Sequence, residues 1–160
     1  MKNLDLNSAK NYILYCLSNR MYTKKELSDK LKNKNYPEEI ILEAITSMED
    51  NGIINDYDYA FAYLHDNITL KSKGLFRVKQ ELFQKGIKGD IVDRVVSENN
   101  FDTASPLLEY ARIRFGENKS LSPKEFEKVK AHLIRRGYSA SEIKKCLEEL
   151  EIRANWSDEF

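Results

Sequence analysis

Few residues in this chain combine a reactive type with a spacing that suits chemistry. The two histidines, His65 and His132, have no Cys, Asp or Glu at zinc-type spacing beside them. His132 falls among basic residues and is expected to add to a polar helix face. Asp56 and Asp58 would suit acid–base work or Mg²⁺, but they stand at an expected helix start, where carboxylates stabilise exposed N–H groups. Gly74, Gly86 and Gly89 are scattered, with no Gly-Lys-Ser/Thr to cradle a phosphate, and no serine nucleophile elbow is present. Cys16 and Cys146 each lie inside a helical pattern and read as small buried apolar residues. The expectation is a protein that is not an enzyme, with no cofactor and no metal.

Basic side chains carry the stronger signal, and they are segregated. Arg20 to Lys34 holds six basic residues against two acidic, Lys71 to Lys88 six against one, and Lys124 to Arg136 five against two. The stretch from Glu38 to Asp66 holds eight acids and no Lys or Arg, and Asp90 to Glu109 five acids and one Arg. The total is 26 basic and 26 acidic residues, so net charge alone argues against a nucleic-acid partner while the pattern does not. One reading is internal salt-bridge pairing between neighbouring helices. The other is a discontinuous basic ridge facing a polyanion or an acidic groove. On that second reading the candidate contacts are Lys24, Lys25, Lys30, Lys71, Lys73, Arg77, Lys79, Lys85, Lys88, Lys128, Arg135 and Arg136. Lys73, Arg77, Lys85, Arg135 and Arg136 stand first among them.

The elements that position these residues follow from an internal repeat. A shift of 51 residues, taken twice, superposes Ala9, Ala60 and Ala111; Ile13, Leu64 and Phe115; Leu27, Val78 and Val129; and Leu31, Leu82 and Leu133. The same register joins Tyr36, Ile87 and Tyr138; Ile41, Val92 and Ile143; and Ile45, Val96 and Leu147. Leu27–Leu31, Val78–Leu82 and Val129–Leu133 are i,i+4 pairs, each along one helix face. Thr23-Lys24-Lys25-Glu26 and Ser139-Ala140-Ser141-Glu142 read as capping boxes, and Ser122-Pro123-Lys124-Glu125 as a third. Pro37 is expected at the first position of its helix, Ser105-Pro106 at the opening of another, and Asn51-Gly52 and Gly116 at stops. Gly74, Gly86 and Gly137 are expected to permit tight inter-helix turns.

The fold class is therefore all-α: three tandem three-helix repeats in an elongated, curved array. The repeats run 1–54, 55–101 and 102–155, with a polar tail 156–160 that holds Trp156 and Phe160. Tyr57, Tyr59, Phe61 and Tyr63 alternate as a base-stacking platform would, but the register favours packing. No apolar run approaches the roughly 18 residues of a membrane span, and the N-terminus lacks a signal-peptide core, so a cytoplasmic monomer without membrane contact is expected.

The motifs, in this order, resemble a known family. Lys73-Gly74, followed by Glu81-Leu82-Phe83-Gln84-Lys85-Gly86-Ile87, is similar to the central "KG…EL..KGI" segment of the RecX regulators. Glu26-Leu27 with Leu31 resembles their "EL..KL" element. Asn51-Gly52-Ile53-Ile54-Asn55-Asp56 with Tyr59-Ala60 resembles "G.ldD..fA", and His132 to Tyr138 resembles "fL.rRGy". The resemblance spans about residues 8 to 150. Departures are Asn35 where the first repeat often has Gly, Asn55-Asp56 for the acidic pair, and Tyr59 for a Phe-type residue. The resemblance implies a helical protein that binds RecA–DNA filaments along their groove and restrains ATP hydrolysis, strand exchange and co-protease activity. It also implies single- or double-stranded DNA as a direct partner in some members. The alternatives are a stand-alone helical nucleic-acid-binding protein and a helical adaptor whose charge pattern is purely internal.

Overall fold

The computed structural model describes residues 3–156, and among these the chain is helical apart from turns and two three-residue strands. The described residues form two compact units, one from those before Tyr63 together with 82–98, the other from 63–81 together with those after Glu98. No helix among the described residues is long and apolar enough to cross a membrane.

The first unit contains α1 (Leu6–Leu17), α2 (Lys24–Asn33), α3 (Glu38–Asp50) and the start of α4 (Asp56–His65). It also takes in the end of α5 (Leu75–Gln84) and α6 (Gly89–Glu98). The Thr23 hydroxyl oxygen accepts a hydrogen bond from Glu26 N at 3.1 Å while Thr23 N donates to the Glu26 carboxylate at 2.9 Å, so the expected capping box opens α2. Pro37 is the N-cap of α3 rather than its first residue: its backbone is extended (ψ 148°) and its carbonyl accepts the first helical bond, from Ile41 N. Ala9, Ile13 and Cys16 of α1 close a core with Leu27 and Leu31 of α2 and Ile41, Ala44, Ile45 and Met48 of α3.

In the second unit α4 ends in a π-helical turn, Asp66–Leu70, before α5 begins. Buried Asn67 holds that wider turn by donating its side-chain amide to Tyr63 O at 2.9 Å. There follow α7 (Ala104–Phe115), β1 (Lys119–Leu121), α8 (Pro123–Arg135), α9 (Ala140–Glu149) and β2 (Ile152–Ala154). α7 opens one residue before the expected Ser105-Pro106, because the Asp102 carboxylate accepts from both Ala104 N and Ser105 N. The strands pair in parallel, Lys119 opposite Ile152 and Leu121 opposite Ala154. Three residues carry no period, so no pattern announced them; left-handed Asn118 (φ 54°) and Glu151 (φ 55°) turn the chain into this pairing. Leu107, Ala111, Leu133, Tyr138, Ile143, Cys146 and Leu147 form the core. Burial pushes the Cys146 thiol up to about 11.

The 51-residue register recurs in burial. Of the superposed positions named above, all are buried except Tyr36, Val96 and Phe115, which are half-buried. It recurs in the turns after the middle helices as well. Asn35 (φ 68°), Gly86 (φ 88°) and Gly137 (φ 103°) are all left-handed. The next N–H closes each turn onto the same helical carbonyl, Tyr36 to Leu31, Ile87 to Leu82 and Tyr138 to Leu133. Asn35 fills a glycine's place because its short polar side chain tolerates that conformation.

Candidate interaction surface

Position 23 of the repeat sets the junction between successive middle helices. The Thr23 hydroxyl donates to Lys85 O at 2.7 Å, across 62 residues. One register further on, Gly74 N donates to Arg136 O at 2.8 Å, and Phe76 N to Gly137 O at 3.2 Å. In both cases the start of one middle helix meets the turn that ends the next. The contact is close enough that a Cβ on Gly74 would overlap the Gly137 backbone, and one on Gly137 would sit 2.6 Å from Arg77 Cβ. Gly74, expected to serve a turn, serves this approach. Asp56, whose side chain was expected to cap its own helix, instead accepts from Lys24 N at 2.9 Å and so caps α2; Asn55 accepts from Asp58 N and caps α4. Burial pushes the Asp56 carboxyl up from its ordinary value.

The candidate cations divide into engaged and outward-facing groups. Lys24 pairs with Glu49 at 3.2 Å, Lys30 lies over the Tyr22 ring, and exposed Lys25 packs its stem against Gly86. Lys73 and Arg77 converge on Glu81, at 2.9 and 3.6 Å, and Tyr63 donates its hydroxyl to the same carboxylate. Burial alone would raise the Glu81 carboxyl, but the Lys73 and Tyr63 hydrogen bonds and the two positive charges outweigh it and hold the group low. Lys79 and Lys85 are half-buried, while Lys71 and Lys88 are exposed. Arg136 is built into the fold: its guanidinium donates to Lys71 O and Ser72 O at 2.6 to 3.1 Å and covers the Tyr110 ring at 4.2 Å. Lys128 and Arg135 are exposed on α8, and among the described residues neither meets a carboxylate.

His132 departs from its expected polar face. Its ring stacks on Tyr110, meets Phe115 edge-on, and shares a 2.6 Å hydrogen bond with the Tyr110 hydroxyl. Burial, followed by the charges of Arg114, Arg136 and Arg135, holds the imidazole below its ordinary value. Arg114, at the end of α7, lay outside the charge runs that directed the choice of candidates; the spacing of the α7 face to α8 was the missing signal. Of the four alternating aromatics, Tyr59 is buried, Tyr57 and Tyr63 are half-buried with their hydroxyls on Glu98 and Glu81, and only Phe61 is exposed. Tyr59 thus packs, as the register expected. Trp156 is exposed, and Phe160 lies outside the described residues.

Comparison with known proteins matches this architecture. Residues 9–48 fit the family model described as RecX, first three-helix domain, and residues 55–96 that described as RecX, second three-helix domain. The chain is 32% identical over 137 residues to the regulatory protein RecX of Haemophilus influenzae (strain PittEE), covering 84% of this chain and 90% of that one. It is 31% identical over 144 residues to the regulatory protein RecX of Streptococcus sanguinis, covering 90% of this chain but 56% of that one. The chain thus spans little more than half the length of its streptococcal relatives. The crystal structure of RecX from Lactobacillus salivarius superposes with a TM-score of 0.78 at 27% identity, over 92% of this chain and 97% of that one. A matching pair of three-helix domains, a relative of nearly equal span and a shared fold place this chain in the RecX family of regulatory proteins.

Proposed function

We propose that the chain binds RecA–DNA filaments and restrains their ATP hydrolysis, strand exchange and co-protease activity. The observation that carries the reading is the repeated junction, in which Thr23 on Lys85 O and Gly74 on Arg136 O occupy the same place in successive repeats. A ligand made of identical protomers is met most economically by equivalent contacts repeated along one chain. On this reading the inhibition is mechanical: bridging neighbouring protomers resists the subunit motions that accompany ATP turnover. The contacts come from outward basic residues of α2, α5 and α8, each residue in its own unit.

The test is the single-stranded-DNA-dependent ATPase rate of RecA with substoichiometric amounts of this protein. Inhibition that persists when extra bare DNA is added is the expected result. Inhibition relieved by that DNA indicates sequestration of nucleic acid alone, and an unchanged rate removes the filament from the account.

A further inference from the structure

The outer face of α3 and the groove between α8 and α9 are complementary, and one chain carries both. α3 holds five acids and no Lys or Arg, and of these Glu49 is taken by Lys24 at 3.2 Å. Glu39, Leu42, Glu43, Thr46 and Asp50 follow at i, i+3, i+4, i+7 and i+11, along one face of a helix about 20 Å long. Leu42 stands 70% exposed on that face. The open cavity beside it, about 550 Å³, is lined by Glu39, Glu43 and Asp50 and, among the described residues, by no cation.

The third repeat reverses the sign. Lys144 and Lys145 stand 102 residues beyond Leu42 and Glu43. Between α8, α9 and β2 lies an open groove of about 440 Å³, floored by Phe126, Ile134, Ile143 and Leu147. Its charged lining residues are Lys130, Lys144 and Glu148. Ile134, 54% exposed, also lines a neighbouring cavity of about 540 Å³ with exposed Phe76, where Arg77 and Arg135 are the charged residues. Arg77 already reaches Glu81 and Lys130 reaches Glu127, so Lys144 and Arg135 are the cations left over.

An apolar floor between cations suits a helix that carries an apolar side chain between acids. Leu42 between Glu39 and Glu43 is such a side chain. Two acidic faces repel each other, whereas the change of sign between the first and third repeats lets two copies meet first repeat to third. We propose that the α8–α9 groove of one copy receives the α3 face of a second copy, Leu42 against Ile134, with Glu39 and Glu43 toward Lys144 and Arg135. The contact is heterologous, so one face stays free at each end and further copies add to it. A single helix face buries less than about 1,200 Å², the size of transient contacts, so the association is weak. This goes beyond the filament-binding reading and does not depend on it.

The full-length chain, with no other protein present, is followed by analytical ultracentrifugation up to millimolar concentration, at low and at high salt. The wild type is expected to pass reversibly from monomer to dimer and beyond, and to do so less at high salt. Leu42→Gln and Ile134→Gln, both at exposed positions, each weaken the association about tenfold or more, as the loss of one leucine-sized apolar contact does. Circular dichroism reports whether each variant is folded. Mixed in equal amounts, the two variants associate again, because the Leu42→Gln copy keeps its groove and the Ile134→Gln copy keeps its α3 face. That mixture stops at a heterodimer, since the two faces still free are both impaired. A variant that is merely destabilised is not rescued in this way. The proposal is overturned if the wild type stays monomeric throughout, which leaves the groove to a helix of a different protein. It is equally overturned if either variant associates as the wild type does, or if the mixture is no tighter than the separate variants, which assigns the contact to a face that pairs with itself. RecA enters none of these measurements, so the outcome of the ATPase test is read separately.

Discussion

Replacing Gly74 with alanine tests whether the repeat junction is a true backbone-to-backbone contact. The added Cβ lands on the carbonyl carbon and oxygen of Gly137 and on Tyr138 N, none of which can rotate away. Relief requires separating the two segments, which stretches the Gly74 N to Arg136 O and Phe76 N to Gly137 O bonds. Overpacking costs about 1–3 kcal/mol, and each weakened hydrogen bond about 0.5–1.5 kcal/mol. The stiffer unfolded chain returns about 0.4–1 kcal/mol. The net loss is thus on the order of 2–5 kcal/mol, a large share of the roughly 5–15 kcal/mol of a typical domain. Urea titration followed by circular dichroism measures it, and hydrogen exchange at the Phe76 amide locates it. Gly52→Ala is the control: its φ of 73° is strained for alanine, but nothing lies within 4 Å of the new Cβ. That variant loses only about 1–2 kcal/mol. A Gly74→Ala protein as stable as the Gly52→Ala control, or one with Phe76 still protected, would refute the reasoning.

Arg136→Lys keeps the charge but removes the planar fork that reaches Lys71 O and Ser72 O together, so stability falls by about 1–3 kcal/mol in urea. An unchanged midpoint would mean that the Arg136 clamp contributes nothing. For His132 the folded imidazole titrates below the unfolded value of 6.5, because burial and then Arg114, Arg136 and Arg135 disfavour its charged form. The unfolded chain therefore binds the proton first, and stability declines as pH falls through 6.5 towards the folded value. Thermal melts between pH 8 and pH 5 are expected to show this decline in the wild type and a shallower one in His132→Gln; parallel profiles would remove His132 as the cause.

The two arginines that end α8 show what a charge pattern conveys and what it leaves open. Arg135 and Arg136 are adjacent in one basic run and looked equivalent as contacts. The helix turns about 100° between neighbours, so one faces outward while the other lies over Tyr110. Lys73 and Arg77 likewise headed the candidates, because composition counts Glu81 as a single acid. In space that acid meets both cations. Arg114 was passed over because a run of like charges is local, whereas a cavity lined by α7 and α8 is not.

What the amino-acid order determined by itself is everything that a period of 3.6 or a cap can encode within a few residues. That includes the helical class, the 51-residue repeat, the buried i,i+4 pairs such as Leu27–Leu31, and the Thr23 and Ser139 capping boxes. Only the tertiary structure decided which groups meet across dozens of residues: Asp56 capping α2, Gly74 against Gly137, the β1–β2 pair, and the Glu81 and His132 centres. The physical reason is range. Helical propensity and apolar periodicity act between near neighbours, but a hydrogen bond or ion pair depends on a distance of about 3 Å that exists only once the chain has packed.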